Sequence, residues 1–277
     1  MSDTGKRPPI IYRHSVTIRV THWVGVVCVV LLVLSGLQIF NAHPALYLGQ
    51  ASDFARPVAS IGARQEGTRV VGLTKILGSA FDTTGMLGVS GAGNDEERAF
   101  PSWLTLPGYQ DLATGRRWHF FFAWLLVLNG LSYLLYGLVS GHVWRDLVPS
   151  LRQLRHLGRS IIDHLRLRFP RGDEARQYNV LQRLSYLAIL LVVVPLLVLT
   201  GLTMSPGLDA GFPLLTNAFG GRQTARTIHF ICAFTLVGFV IVHVLMVLLS
   251  GLWNNVRSMT TGWYVIKPET DPHGQTG

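Results

Sequence analysis

Four histidines, His22, His119, His229 and His243, stand at the ends of long apolar segments of the chain. His229 and His243 share one segment and are 14 residues apart. At about 100° per residue, that interval returns to within roughly 40° of the same helix face, about 21 Å further along the axis. One metal ion cannot bind both rings over that distance. The spacing favours two separate flat, metal-containing cofactors, and His22 and His119 supply one partner for each.

If the apolar segments cross a membrane, His22 and His243 lie near its cytoplasmic side, and His119 and His229 lie near its outer side. Pairing the histidines by this depth in the membrane joins His22 with His243 and His119 with His229. Two imidazoles fill both axial positions of a haem iron, which is typical of electron transfer rather than oxygen binding. We expect each ligating ring to donate its other N–H to a neighbour that fixes its orientation. A single zinc site for all four is excluded by their separation. A proton relay usually involves Asp or Glu, and the apolar segments contain neither.

The elements that position these histidines are predicted to be membrane helices. The chain has 277 residues, of which 49% are hydrophobic and only 14% charged. Four apolar stretches, 16–40, 118–140, 184–204 and 224–250, each reach the length of about 20 residues that crosses the hydrocarbon core. Strict two-residue alternation is absent, so a barrel is disfavoured. The sequence predicts an all-α integral membrane fold, a bundle of four transmembrane helices with the first helix retained rather than cleaved.

The orientation of the chain in the membrane is predicted from its positive charges, because cytoplasmic loops carry an excess of Lys and Arg. The connection 142–182 carries eight arginines against four acids, whereas 41–115 carries five basic residues against seven acids. We therefore expect a multi-pass protein of the bacterial inner membrane with both termini cytoplasmic and a large periplasmic insertion between helices 1 and 2. The net charge of +9 is explained by this topology and by anionic lipid headgroups, and nucleic-acid binding is not expected.

The predicted segments follow one another along the chain. They are a cytoplasmic tail (1–15), the first span (16–40), a periplasmic loop (41–115), the second span (116–141), an Arg-rich cytoplasmic loop (142–182), the third span (183–204), a periplasmic loop (205–222), the fourth span (223–251) and a cytoplasmic tail (252–277).

A repeated pattern opens three of the spans: Arg, two residues, His and an aromatic residue. The arginines are Arg19, Arg116 and Arg226. Each lies one turn before its histidine on the same side of the helix, where it can pair with a haem propionate or only anchor the helix at the interface. Tyr186 takes the histidine position in the third span.

The first and third spans also end alike, in Leu-Val-Leu-Ser35-Gly36-Leu and Leu-Val-Leu-Thr200-Gly201-Leu. Two interpretations stay open. The chain is a duplicated helical hairpin, or arginines and aromatic residues recur because every membrane interface favours them.

The connections carry further expectations. The insertion 41–115 ends in a Pro/aromatic stretch with Trp103 and Tyr109, and it is interpreted as a docking cap or as a partly mobile loop. Spaced leucines in 147–165 predict an amphipathic helix on the membrane surface or a solvated helix. The tail after Trp263 is expected to be loose. The remaining histidines, including His14, His43 and His142, are expected to be solvated.

These motifs resemble the bacterial di-haem cytochrome b561 superfamily, which includes the cytochrome b subunits of nickel-iron hydrogenases and formate dehydrogenases. The stretches 41–47 and 165–172 resemble a narrower branch, the thiosulfate-reductase-type cytochrome b subunits. The resemblance implies two haem b groups and electron exchange between quinone or quinol and a periplasmic redox partner, a molybdopterin oxidoreductase or a cytochrome c. The insertion is larger than in the hydrogenase-type subunits, so their docking surface is not transferred.

Two alternatives to this function remain open. The first is a stand-alone superoxide oxidase coupled to quinone, which would make the chain an enzyme by itself. The second is a haem-free membrane anchor or transporter. No catalytic residue is identified. Asn129, Tyr133 and Tyr136 are polar groups inside the second span and are interpreted as quinone-site lining or as helix–helix hydrogen bonds.

Overall fold

The computed structural model describes residues 9–91, 93, 95–150, 153, 154, 158, 162 and 180–266. In chain order the elements are β1 (Ile10–Tyr12), α1 (Val16–Asn41), β2 (Ala45–Leu46), β3 (Ala59–Glu66), β4 (Arg69–Ile76), β5 (Ser79–Asp82), α2 (Leu112–Val139), α3 (Val180–Thr203), α4 (Pro206–Gly211), α5 (Pro213–Ala218), α6 (Arg222–Thr261) and β6 (Trp263–Val265). A 3-10 turn lies at Ser102–Leu104 and a π-helical turn at Val143–Leu147.

Four of these helices, α1, α2, α3 and α6, are long and apolar enough by length and composition to cross a membrane. Only between 6% and 22% of the most apolar stretch of each is buried within the protein. Leu and Val side chains therefore point outward along most of each helix, which is typical of helices surrounded by lipid rather than water.

Two of the long helices depart from regular geometry. In α3, Ile189–Val193 is π-helical and directly precedes the turn that contains Pro195. Proline has no N–H for the ladder and its ring displaces the preceding carbonyl, so a π-bulge accommodates it. In α6, Gly251 has φ 119° and ψ 84°, a conformation that favours glycine. The helix resumes after this kink and continues through Thr261, beyond the boundary predicted at residue 251.

The chain divides into two compact units, and the divisions fall inside the four long helices. Unit 1 comprises Met1–Val24, Asn129–Val192 and Gly238–Gly277; unit 2 comprises Gly25–Leu128 and Val193–Val237.

Unit 2 contains a four-stranded antiparallel sheet in the order β2-β3-β4-β5. The expectation of an all-α protein is therefore wrong for the insertion. β3 and β4 form a hairpin in which Ala59 lies opposite Ile76 and Glu66 lies opposite Arg69. A hydrophobic cluster of Phe40, Leu46, Ile61, Ala99 and Phe100 joins the sheet and the end of the insertion to the end of α1. Burial of these side chains is the main favourable term that holds the insertion on α1.

A buried polar network reinforces this attachment. The Arg98 guanidinium donates to Gln38 Oε1 and Thr105 Oγ1, each at 2.8 Å, and pairs with Glu96 at 3.3 Å. The Asn41 side chain donates to the Phe100 carbonyl at 3.0 Å and accepts from its N–H at 2.7 Å. Because these side chains bind one another away from water, the end of the insertion has a defined position on α1.

The first turns of α6 bind the segment that follows α1. Thr227 donates to the Tyr47 carbonyl at 2.7 Å, and the Gly49 N–H donates to Thr224 Oγ1 at 2.7 Å. Arg226 donates to the carbonyl of His43. Backbone groups of three residues in the segment 43–49 thus bind side chains at the start of one helix.

Unit 1 contains a second, two-stranded sheet in which β1 and β6 pair antiparallel, with Ile10 opposite Val265. The Asn254 side-chain amide donates to the Val265 carbonyl at 2.8 Å, and its Oδ1 accepts from the Val265 N–H at 3.0 Å. The expectation of a loose tail after Trp263 is therefore wrong for Tyr264 and Val265, while residues 267–277 lie outside the described residues. Most of the predicted amphipathic helix at 147–165 also lies outside them.

Candidate functional site

The structure brings the four histidines together as two facing pairs. In unit 1, the ring centres of His22 and His243 are 6.5 Å apart with their planes at 57°. In unit 2, the ring centres of His119 and His229 are 6.2 Å apart with their planes at 61°. Each pair therefore joins residues from different helices at almost the same separation and tilt.

The separation of the rings fits two imidazoles that bind one metal ion from opposite sides. Metal–imidazole bonds of about 2 Å, together with the half-width of each ring, place the ring centres roughly 6 Å apart. Within the described residues, no group of three or more His, Cys, Asp or Glu side chains could hold a metal ion. Two ligands suffice only where the cofactor supplies the remaining ligands itself, as a porphyrin does.

Hydroxyl groups contact both rings of the unit 2 pair. Ser35 Oγ lies 3.1 Å from His119 Nδ1, and Thr200 Oγ1 lies 3.1 Å from His229 Nδ1. Ser35 and Thr200 are completely buried. The sequence did not identify these neighbours, although the repeated ending of the first and third spans contains both. The repeat was the signal by which Ser35 and Thr200 could have been identified as neighbours of the histidines. Equivalent helix positions make equivalent contacts in a duplicated hairpin.

Glycines next to the hydroxyl residues let the rings approach the helix backbone. A Cβ at Gly36 would lie 3.3 Å from His119 Cε1, and a Cβ at Gly201 would lie 3.5 Å from His229 Cε1. The Ser35-Gly36 dipeptide on α1 and the Thr200-Gly201 dipeptide on α3 thus make equivalent contacts, with His119 and His229 respectively. Each dipeptide is called the seat of its histidine below. The duplicated-hairpin interpretation is supported by this match of contacts.

The unit 1 pair has aromatic neighbours instead. The Phe239 ring stacks on His243 with centres 5.9 Å apart and planes at 17°, and Tyr186 meets His243 edge-on at 6.2 Å. Trp23 meets His22 edge-on at 5.2 Å. Among the described residues, no hydrogen-bond partner reaches the buried Nδ1 of His22. A buried imidazole nitrogen without a partner is costly, and in this respect His22 differs from His119 and His229, whose Nδ1 atoms contact hydroxyl groups.

Tyrosines occupy the positions in unit 1 that the repeat would assign to histidines. Tyr186 corresponds to His22, as the sequence indicates. Tyr133 follows His119 by the same 14 residues that separate His243 from His229. Tyr133 lies against the ring of His142, at 6.3 Å. The unit 1 pair is therefore formed from one histidine of each half of the repeat.

The three arginines of the repeated pattern have different contacts. Arg19 donates to the carbonyl of Thr260, and Arg226 donates to that of His43 with its guanidinium 5.7 Å from the Phe40 ring. Arg116 is exposed and lies 5.9 Å from the Phe120 ring. Pairing of these arginines with propionates stays a prediction, and Arg116 is the one whose guanidinium is exposed.

Of the other polar groups, Asn129 donates to the Thr21 carbonyl at 2.9 Å, which is the helix–helix hydrogen bond of the second interpretation. His14 is only 6% exposed, so the expectation that it is solvated is wrong. Burial, together with the smaller contributions of the nearby Arg13 and His142, lowers the pKa of His14 to about 4. His43 is half-buried and its ring stacks on Tyr47 with centres 5.6 Å apart.

Together, the long apolar helices and the facing imidazoles define an integral membrane protein of the haem-binding, electron-transferring class. The profile of the prokaryotic cytochrome b561 family matches residues 13–262. The chain belongs to this family. It is a prokaryotic membrane protein and a b-type cytochrome of electron transfer, as the resemblance in the sequence implied.

A curated relative from Azospira oryzae is 31% identical over 236 residues, which cover 85% of this chain and 90% of the relative. Its provisional name is protein-methionine-sulfoxide reductase subunit YedZ1. No solved structure matches the chain significantly.

Proposed function

We propose that the protein is a di-haem cytochrome that carries electrons between the quinone pool and a partner oxidoreductase. His22 and His243 would hold one haem b in unit 1, and His119 and His229 would hold the other in unit 2. The observation that supports this proposal is the pair of nearly equal ring separations, 6.5 and 6.2 Å, each suited to a bound metal ion between the rings.

Bound haem would supply reversible one-electron chemistry, and the chain would supply ligands, orientation and exclusion of water. Two imidazoles bound to each haem would leave no free ligand site for oxygen, which would suit electron transfer. Apolar helices around the pairs lower the local polarity, which is one of the means by which a protein sets a haem potential. Arg19, Arg116 and Arg226 would bind the propionates at the helix starts.

The topology that goes with this function follows from the charges. The chain ends and the Arg-rich segment 142–182 would lie on the cytoplasmic side of the inner membrane, and the insertion 41–115 on the periplasmic side. The haem of unit 2 would then serve the periplasmic face and the haem of unit 1 the cytoplasmic face. A single cysteine introduced at Thr68, in the exposed turn between β3 and β4, would be labelled by an impermeant thiol reagent on intact spheroplasts if this orientation holds.

The partner would be the catalytic subunit of an oxidoreductase, most simply a molybdopterin enzyme. The name of the Azospira relative, a reductase subunit, supports a partner of this kind. The insertion exposes Trp103 by 77% and Tyr109 by 67%, and these rings offer the anchoring side chains that interfaces favour. A cytochrome c is the other partner class that this face would serve.

Haem counting on the purified protein tests the proposal. A pyridine haemochrome assay should give two haem b per chain, and a quinol analogue should reduce both. Purification from the native membrane should bring a soluble oxidoreductase with it. One haem per chain, or two haems that quinol fails to reduce, would contradict the proposed pathway. Efficient superoxide oxidation by the isolated chain without any partner would favour the stand-alone alternative.

A further inference from the structure

The hydroxyl groups beside His119 and His229 have a fixed hydrogen-bonding role. Ser35 donates to the Leu31 carbonyl at 2.6 Å, and Thr200 donates to the Leu196 carbonyl at 2.5 Å. A hydroxyl has one proton and two lone pairs. Because each proton is given to a carbonyl, the hydroxyl oxygen can only accept from the imidazole nitrogen 3.1 Å away.

The proton on each ring must then be on Nδ1. The Nε2 atom of each ring is consequently the one that carries a free lone pair.

We propose that Ser35 and Thr200 are positioning residues that hold His119 and His229 in the Nδ1–H tautomer, aim their Nε2 atoms at the iron and increase their basicity as ligands. This inference rests on the proposed ligation of a haem by this pair. A hydrogen bond accepted from the outer nitrogen of a ligating imidazole fixes the ring and strengthens its bond to the metal. A hydroxyl that itself donates to a carbonyl is polarised and accepts more strongly.

The unit 1 pair is the reference against which the effect of the two hydroxyl groups can be measured in the same protein. Among the described residues, no acceptor reaches Nδ1 of His22, so the hydroxyl acceptors beside His119 and His229 have no counterpart at His22. Stronger ligands favour ferric over ferrous iron. The two hydroxyls therefore lower the reduction potential of the unit 2 haem and leave that of the unit 1 haem unchanged.

The test removes each hydroxyl while preserving the shape of the side chain as far as possible. The variants are Ser35→Ala and Thr200→Val, and the controls are Ser35→Thr and Thr200→Ser, which place in each half the residue of the other half. Redox titration of the purified holoprotein, followed in the α band, gives the two potentials. Hemin titration gives the affinity of the unit 2 site.

We expect the hydroxyl-free variants to raise the potential of one haem only and to weaken haem binding in unit 2 by about 10- to 100-fold. The two controls should keep wild-type potentials. Electron paramagnetic resonance of the ferric protein should show a broadened low-spin signal for one haem in Ser35→Ala and Thr200→Val, because the rings lose a fixed orientation.

Three outcomes would overturn the inference: unchanged potentials, equal shifts of both haems, or shifts of the same size in the hydroxyl-retaining controls. His119→Ala separates this failure from failure of the proposed function. If His119→Ala loses a haem but the hydroxyl variants behave as wild type, only the positioning role is wrong. If His119→Ala keeps two haems, the ligand assignment is wrong, and the positioning role is wrong with it.

Discussion

The two histidine pairs share a ring separation but not a set of neighbours. In unit 2, matched residues of the two halves of the repeat build the site: Ser35 and Gly36 seat His119, and Thr200 and Gly201 seat His229. In unit 1, aromatic rings surround the pair, and the repeat is broken by tyrosines at the equivalent positions. The duplicated-hairpin interpretation agrees with the local contacts of one pair, whereas the other pair reaches nearly the same ring separation with aromatic neighbours instead.

Removal of one proposed haem-binding histidine should distinguish the two units most strongly. In His229→Ala, the unit 2 pair loses one of the two imidazoles proposed to hold its haem, whereas the unit 1 pair keeps both. Haem content should fall from two per chain to about one, as measured by the pyridine haemochrome assay. His243→Ala is the reciprocal variant and should retain the unit 2 haem. Equal loss of both haems in either variant, in protein that remains folded by circular dichroism, would contradict the pairing.

The Arg98 network offers a way to disturb unit 2 outside its histidines. The Arg98 side chain is only 5% exposed and binds Gln38, Thr105 and Glu96. Removing one partner of a buried charged network typically costs about 3–5 kcal/mol, because the remaining polar groups lose their partners. Arg98→Met should therefore make the insertion sensitive to limited proteolysis and lower the unfolding temperature.

The unit 1 haem spectrum should stay unchanged in this variant, and Arg56→Met is the matched control. Arg56 pairs with Asp53 at the surface, where the side chain is 87% exposed, so its loss should have little effect. Comparable proteolysis of the two variants would show that the buried network does not hold the insertion.

A prediction for unit 1 comes from His14, whose pKa is lowered to about 4 by burial. The charged groups that also lower it are Arg13, His142, His22 and Arg19. The unfolded chain binds a proton at His14 below about pH 6.5, whereas the folded protein does so only near pH 4. Stability should therefore be unaffected above pH 6.5 and fall by roughly 3 kcal/mol as the pH drops to 4.

Thermal unfolding between pH 7 and pH 4 measures this loss, and in His14→Gln the decline should be smaller by most of that amount. Loss of the unit 1 haem should precede loss of the unit 2 haem as the pH falls. An identical pH profile in wild type and His14→Gln would show that the burial of His14 has no such consequence.

The sequence predicted the four apolar helices because length and apolar composition identify a membrane span, and a single segment displays both by itself. The sheet in the insertion could not be predicted in this way. β3 reads Ala-Ser-Ile-Gly-Ala-Arg-Gln-Glu, with neither strict alternation nor β-branched runs, and its strand structure depends on pairing with β4 and packing on Phe40.

The neighbours of the histidines show a second limit. Ser35 and His119 are 84 residues apart in sequence, so no local pattern joins them. His14 precedes the first apolar segment, which suggested exposure, but it is covered in the folded chain, where its backbone N–H reaches the Gly262 carbonyl. Contacts between distant segments decide both cases, and only the repeated Leu-Val-Leu ending gave an indirect indication of the first.

The smallest predicted effect is a spectral shift that differs between alanine variants of the two glycines beside the unit 2 histidines. A Cβ at Gly36 would lie 3.3 Å from the His119 ring, tighter than the 3.5 Å between a Cβ at Gly201 and the His229 ring. Gly36→Ala should therefore displace its histidine by a few tenths of an ångström and shift the α band of one haem, whereas Gly201→Ala should be nearly silent. Gly130→Ala, in the same apolar setting but with open space around its Cβ, should leave the spectrum as in wild type. A larger shift in Gly201→Ala than in Gly36→Ala would mean that the hydroxyl contact, rather than the space beside the glycine, fixes the distance between each ring and its supporting helix.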